Sequence, residues 1–329
     1  MKILITGASG YVGNRMAHTL ADMGNEVHAI VRSASAKELL QHPGIVVFRG
    51  DIQDKESLLI AMKGCGQVYH TAAMVRLWAK DPSVFYKVNV DGTRNVLDTA
   101  IETGVKKLVF TSTCGVIGPS LNQPMNEKDP RIAGFDNDYD LSKFLAEKLV
   151  AEYSKKGLFT VIASASKVYG PGIETHPLSV NNVIRRFVLG KITFCPSPEN
   201  LVSNYVFIDD LIHGHILAIE NGTSGEKYII GGENLSYTEF FQTISKVSGK
   251  TGRLIRGTKN IGRLYGLCHF LYSKLLHKEP FFTAKGANHI FCNKSFSCSK
   301  AMQELGYAIT PFAEALQPTI HFLKQKNYA

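Results

Sequence analysis

The chain lacks any apolar run long enough to cross a bilayer. It holds a single tryptophan, Trp78, and no C-x-x-C pair. Its six cysteines, Cys65, Cys114, Cys195, Cys268, Cys292 and Cys298, are scattered along 329 residues. That scatter excludes a disulfide framework or a zinc ribbon, and the thiols are expected to be reduced in a cytoplasmic protein. A first strand is expected from residue 2, so no signal peptide is expected ahead of it. No short run of Lys or Arg is interleaved with aromatics. The net charge of +9 therefore reads as a solvated basic surface suited to an anionic small molecule, and a nucleic-acid partner is not expected. No metal site is read: His213 and His215 stand two apart in a helical stretch and point to different faces.

What is present begins with alternation. Short β-branched runs at 2–6, 26–31, 45–48, 67–70, 107–111 and 160–163 alternate with helical patterns at 11–23, 55–62, 82–102 and 138–155. The runs are apolar on both faces, as strands buried in a parallel sheet are. This is the pattern of an α/β, doubly wound parallel Rossmann sheet, with the strand order reversing between the first and fourth strands. The loops after Thr6, Ala72 and Ser112 converge at that reversal. Helical periodicity recurs at 181–189, 210–220, 237–248, 262–276 and 312–324.

Two strings carry the chemistry. Thr6-Gly7-Ala8-Ser9-Gly10-Tyr11-Val12-Gly13 follows the apolar Ile3-Leu4-Ile5. Gly7 can take backbone angles closed to other residues. Gly10 removes a side chain where a diphosphate must approach, and Gly13 lets the new helix lie close to the sheet. The helix start then offers free N–H groups and its positive dipole end to phosphates. The second string, Tyr139-Asp140-Leu141-Ser142-Lys143, places a phenol and an ammonium four residues apart on one helix face. A lysine nearby, with the positive nicotinamide ring of an oxidised cofactor, is expected to lower the tyrosine pKa, so that Tyr139 exchanges a proton with an alcohol or ketone as hydride moves.

These motifs, with Gly50-Asp51-Ile52, His70-Thr71-Ala72-Ala73, Asn89-Val90-Asp91-Gly92-Thr93, Thr111-Ser112-Thr113, Val168-Tyr169-Gly170-Pro171-Gly172 and Tyr205-Val206-Phe207-Ile208-Asp209-Asp210, run through nearly the whole chain in order. The chain resembles the extended short-chain dehydrogenases/reductases, in particular their dihydroflavonol reductase-like, 3β-hydroxysteroid dehydrogenase-like and hopanoid-associated sugar epimerase-like branch. The resemblance implies a dinucleotide-binding domain at 1–167, to which 203–220 return, and a smaller substrate lobe built from 168–202 and 221–329. It implies a catalytic set of Thr113, Tyr139 and Lys143, with Thr113 holding the substrate oxygen and Lys143 also reaching the nicotinamide ribose. Ser9, Tyr11, Val12 and Val168 join the glycines Gly7, Gly10 and Gly13 at the cofactor. Asp51 and Ile52 match positions that contact adenine, and Ala72 and Ala73 line the fourth-strand turn beside the ribose. Asn89 is either a relay or structural residue near the site or a capped helix residue. The resemblance also implies a homodimer through the helices at 82–102 and 138–155.

One shortage decides the cofactor. The second strand ends in Arg32-Ser33, with no Asp or Glu to hold a ribose 2′-hydroxyl. Arginine there stacks on adenine and pairs with a 2′-phosphate, with Lys37 assisting, so NADP(H) is preferred and NAD(H) is the alternative. Substrate contacts are expected from Met74, Val75 and Arg76 in Met74-Val75-Arg76-Leu77-Trp78, from Lys167 and from Asn204. Ser164 and Ala165 depart from the Arg-Pro usual in the resembled family. Asp209 and Asp210 are expected to cap their helix and hold the lobes together. Residues 261–278 carry Ile261, Leu264, Tyr265, Cys268, Leu271, Tyr272 and Leu275 at helical spacing beside Arg263, Lys274 and Lys278. The stripe reads first as a helix buried in the smaller lobe, and otherwise as a lid or a peripheral membrane contact. The expected activity is NADP(H)-dependent interconversion of a ketone and a secondary alcohol on a bulky apolar molecule. The alternative is a nucleotide-sugar epimerase or dehydratase, with Asn181, Asn182, Arg185 and Arg186 gripping a pyrophosphate.

Overall fold

β-branched side chains crowd a helix but pack well on a pleated surface buried on both sides, and the apolar runs become strands accordingly. In the computed structural model, which describes residues 1–76, 78–173, 179–276, 280 and 283–325, these are β1 (Lys2–Thr6), β2 (Glu26–Val31), β3 (Ile45–Arg49), β4 (Gln67–His70), β5 (Lys107–Thr113) and β6 (Phe159–Ala165). Then follow β7 (Lys167–Tyr169), β8 (Ile192–Ser197), β9 (Val202–Phe207), β10 (Lys227–Ile230), β11 (Glu233–Ser236) and β12 (Arg253–Thr258). Seven strands form one parallel sheet in the order β10-β6-β5-β4-β1-β2-β3. The order reverses between β1 and β4, and ligands of such sheets bind beyond the strand ends at that reversal.

The seventh strand corrects the reading of the C-terminal half. Residues 227–230 lie against β6 at the sheet edge, with Tyr228 opposite Ala163, not in the smaller lobe. β9, within the stretch expected to return to the dinucleotide-binding domain, pairs with β7 and β11 in a separate three-stranded sheet. β8 and β12 make a two-stranded parallel pair.

The helices are α1 (Tyr11–Asp22), α2 (Lys55–Met62), α3 (Ser83–Tyr86), α4 (Gly92–Glu102), α5 (Asp138–Lys155), α6 (Val180–Val188), α7 (Ile208–Asn221), α8 (Tyr237–Ser248), α9 (Lys259–Leu275), α10 (Ala284–Ile290), α11 (Ser299–Leu305) and α12 (Phe312–Gln325). A π-turn, Lys87–Asp91, joins α3 to α4 inside the stretch expected as one helix. One apolar core packs α1, α7 and α11 on one face of the sheet. A second packs α2, α4 and α5 on the other. A third, rich in aromatics such as Tyr205, Phe240 and Phe312, is the core of the smaller lobe.

Asp209 and Asp210 do not cap α7. Its N-cap is Phe207, with no side-chain cap. Asp209 instead takes a two-pronged bond from Arg15 of α1, at 2.7 and 3.0 Å. Asp210 accepts from the Thr310 backbone N–H and hydroxyl at 2.8 and 2.7 Å. The first turn of α7 is therefore a brace between α1 and the C-terminal segment.

Candidate active site

The turn after β1 is built to leave a gap. Gly7 sits at φ +74°, where a side chain is strained. A Cβ on Gly7 would lie 2.6 Å from the Ala72 nitrogen, and one on Gly13 2.3 Å from the Gly7 carbonyl oxygen. Strand, turn and helix thus touch backbone to backbone. Gly10 is the N-cap of α1 and offers no side chain to its N–H groups, and the first turn carries no acid. An uncapped, acid-free helix start beside small residues is a cradle that fits a diphosphate. Ser9 and Gly10 are exposed, Tyr11 and Val12 half-buried and Ala72 and Ala73 half-buried. The Tyr11 hydroxyl donates to the Gly170 carbonyl at 2.7 Å, which ties the turn to the loop after β7. Arg32 and Lys37 are exposed at the end of β2 and just beyond, and among the described residues no acid pairs with either. Asn14, which the sequence reading overlooked, donates to the Leu39 carbonyl at 2.7 Å and holds that segment against α1. Asp51 closes a turn by accepting from the Gln53 N–H at 3.0 Å, and Ile52 is buried under Gly92.

Two further atoms fit a ligand at the far end. The hydroxyls of Ser164 and Ser166 are buried and have no hydrogen-bond partner among the described residues. They stand where β6 ends beside β5, Ser164 opposite Ser112 and Ala165 opposite Thr113. Buried hydroxyls are normally satisfied, so both are groups in want of a partner. Val168 follows on β7, paired with Val206.

Helix α5 lies along β5 and carries Tyr139, Lys143 and Glu147 on one face, each a turn further on. Asn137 caps its start by accepting from the Asp140 N–H at 2.7 Å. A Cβ on Gly115 would lie 2.2 Å from Asp140 Oδ1, so α5 begins in direct contact with the turn after Thr113. Thr113 ends β5, and its hydroxyl oxygen accepts from the Gly115 N–H at 3.0 Å; among the described residues its O–H meets no acceptor. Lys143 is buried over the Phe110 ring, 3.8 Å from its centre. The Ser112 hydroxyl and Lys227 of β10 both bond to Glu147.

The electrostatics differ from the sequence expectation. Burial pushes the Tyr139 phenol well above its ordinary range, and Asp140 beside it adds to the rise. Burial also pulls Lys143 down to about 7, with Glu147 opposing. In the protein alone, then, Lys143 does not lower the tyrosine. Desolvation is the leading cause for both groups. Nearby His70 is held neutral, its pKa lowered to about 3 by burial and by Lys143. It bonds Thr6 at 2.6 Å and Thr93 at 3.0 Å.

Asn89 is a brace. From the π-turn its amide accepts from the Met74 N–H at 2.7 Å and donates to the Ser142 hydroxyl at 2.9 Å, so it pins the loop after β4 to α5. Met74 is half-buried there, Val75 and Arg76 are exposed, and Trp78 meets Phe270 of α9 edge-on at 6.2 Å. Leu77 and Lys278 lie outside the described residues. Lys167 donates to the Ser203 hydroxyl at 2.7 Å and faces the rings of Tyr205 and Tyr237. Burial lowers it to about 8.

Two substrate expectations meet competing bonds. Asn204 is buried and spends its amide on both backbone groups of Gly232 and on Asn234. It fastens β9 to β11. Asn181 likewise brackets Gly170, accepting its N–H at 3.0 Å and donating to its carbonyl at 2.8 Å. Asn182 accepts from Arg185, and Arg186 donates to the Ile192 carbonyl.

Residues missed in the sequence include Glu147 and Arg131. Glu147 had a legible signal, its place two turns from Tyr139 on the same face. Arg131, which donates to the Gly115 and Val116 carbonyls at 2.6 and 3.1 Å, sits in a loop without pattern.

The sequence of this site has relatives. The description "NAD dependent epimerase/dehydratase family" matches residues 3–231. The chain belongs to that family. A Synechocystis protein provisionally named dihydroflavonol 4-reductase is 29% identical over 98% of this chain and 95% of its own length. The 3-beta-hydroxysteroid dehydrogenase of Mycolicibacterium neoaurum is 29% identical over 93% of this chain and 86% of its own. The crystal structure of gox2253 superposes with a TM-score of 0.82 at 31% identity, covering 98% of both chains. As a member of the epimerase/dehydratase family, the protein is an NAD(P)-dependent oxidoreductase of the extended short-chain dehydrogenase/reductase group.

Proposed function

We propose that the protein reduces a ketone to a secondary alcohol, or runs the reverse, on a bulky apolar molecule, with NADP(H) as its cofactor. The observation that carries this is the α5–β5 arrangement. Tyr139 and Lys143 share a face of one helix whose start abuts the turn after Thr113. When bound, the nicotinamide supplies or accepts hydride. The residues of the chain supply the proton. Tyr139, held neutral by burial, is already in the form that gives a proton to a ketone oxygen. Thr113 donates a hydrogen bond to the same oxygen and steadies its developing charge. Lys143 lies one turn from Tyr139 and one turn from Glu147 on the same helix face, and an anionic ligand in the cleft favours its charged form.

Arg32 and Lys37, exposed and without an acid partner among the described residues, support NADP(H) over NAD(H). Asn181 and Asn182 are occupied within the fold, which favours the reductase over the nucleotide-sugar reading. The apolar substrate is supported by the loop at Met74–Val75 and the names of the steroid relative. Lys167 and Arg76 are proposed to meet its polar end.

Steady-state turnover of the purified chain on keto-steroids, flavanones and nucleotide sugars, with NADPH and with NADH, is the test. Tyr139→Phe is expected to lower kcat ~10²–10⁴-fold with cofactor binding retained. Near-normal turnover by that variant, or activity confined to nucleotide sugars with tightly held NAD, overturns the reading. A higher kcat/KM with NADH overturns the cofactor assignment.

A further inference from the structure

Helix α9 buries the wrong side for a core helix. Its inward face is Gly262, Gly266 and Ser273. The two glycines let it close on α10, where a Cβ at Gly266 would lie 2.5 Å from the Ala284 nitrogen and one at Gly262 2.8 Å from the Phe291 ring. The apolar stripe read from the sequence as core points the other way. Leu264, Leu271 and Leu275 are 62%, 57% and 77% exposed, with Ile261, Tyr265 and Tyr272 beside them. On the neighbouring β8–β12 pair Phe194 and Ile255 stand opposite each other and both are exposed. Phe194 also meets Phe291, the ring that packs on Gly262. Isolated exposed apolar residues are ordinary, but a contiguous face of this kind marks a contact site.

Charge identifies the contact. Residues 240–276 contain seven Lys or Arg and no Asp or Glu, in a chain whose whole net charge is +9. Among the described residues only Arg256 of those seven pairs with an acid, Glu199. Arg263 and Lys274 border the apolar stripe on α9. A second copy packed on this face would set cations against cations, since a two-fold interface pairs the patch with itself and 240–276 hold no acid. An anionic bilayer surface answers both features: acyl chains receive Leu264, Leu271 and Leu275, lipid phosphates receive the basic residues, and Tyr265 and Tyr272 suit the boundary between them.

We propose that α9, with the exposed edge of β8–β12, docks the protein on anionic membranes. Docking does not depend on the proposed reaction. Because Trp78, in the loop after β4, touches Phe270, it would hold that loop close to the lipid.

Co-sedimentation of the full chain with phosphatidylcholine vesicles, with and without phosphatidylglycerol, tests this. Binding is expected to the phosphatidylglycerol vesicles and to weaken as added salt screens the charges. Leu264→Asp with Leu271→Asp is expected to abolish it. Arg263→Gln with Lys274→Gln is expected to weaken it about thirtyfold. All four side chains are exposed, and unchanged far-ultraviolet circular dichroism checks that the variants fold. Tyr139→Phe must bind vesicles as the wild type does, whatever becomes of turnover. A wild-type chain that stays in the supernatant with phosphatidylglycerol vesicles at low salt overturns the proposal. So does an Asp variant that still sediments, or a mass by light scattering that halves in the Asp variant without any vesicle binding.

Discussion

Lys143 is subject to two opposed demands. As an ammonium it would favour a phenolate on Tyr139, yet it is buried over Phe110 and pulled down to about 7. Since the folded pKa lies below the unfolded value near 10.4, the fold disfavours the charged form. The cost is complete below about pH 7, shrinks as pH rises from there, and vanishes above the unfolded pKa. Lys143→Met should therefore stabilise the ligand-free protein, and by more at pH 6 than at pH 9, with a slope on the order of 1.4 kcal/mol per pH unit between those limits. Urea unfolding of both forms at the two pH values checks it. An equal gain at both would mean that the ammonium is not desolvated.

At the scale of elements, the site depends on how tightly α5 meets the turn after β5. Gly115 allows that contact, because any side chain there would strike the Asp140 carboxylate, which Asn137 already holds. Gly115→Ala must push the start of α5 outward and carry Tyr139 with it. Displacements of this size cost much more in rate than in folding. We expect kcat to fall by about 100-fold and stability by about 1–3 kcal/mol, with the KM for cofactor changed little because the glycine turn after β1 is untouched. Steady-state kinetics beside thermal unfolding separates the two effects. Asn89 works at the same scale, joining the loop after β4 to α5 through Met74 and Ser142.

Across the whole molecule, side-chain bonds tie together stretches that are distant in the chain. Lys227 of β10 reaches Glu147 of α5, which also takes the Ser112 hydroxyl. Arg15 joins α1 to Asp209, and Asp210 holds Thr310. Breaking one partner of a buried pair strands the other's charge. Lys227→Met should cost about 3 kcal/mol, the low end for such pairs because Lys227 is partly exposed. Glu147 keeps its carboxylate in that variant, so its upward pull on Lys143 persists. Chemical denaturation measures the first. A loss below the experimental error would show that the edge strand is not fastened through this pair.

The alternation of parallel strands and helices, the glycine turn and the Tyr139–Lys143 spacing were legible from the amino-acid sequence alone, because each rests on local periodicity or on backbone room that only glycine provides. The absence of an acid after β2 was equally plain. Other features depended on contacts between residues far apart in the chain. The return of 227–230 to the large sheet pairs it with β6, some sixty residues earlier. The occupation of Asn204 and Asn181 is set by Gly232 and Gly170, and the rise of the Tyr139 pKa by the burial of its surroundings. The outward turn of α9 was hidden for the same reason. Its apolar stripe has the period of a core helix, and only the tertiary packing of Gly262 and Gly266 against α10 decides which side meets solvent. Periodicity records that a helix has two faces; burial, which arises from the whole chain, determines which of them the protein keeps.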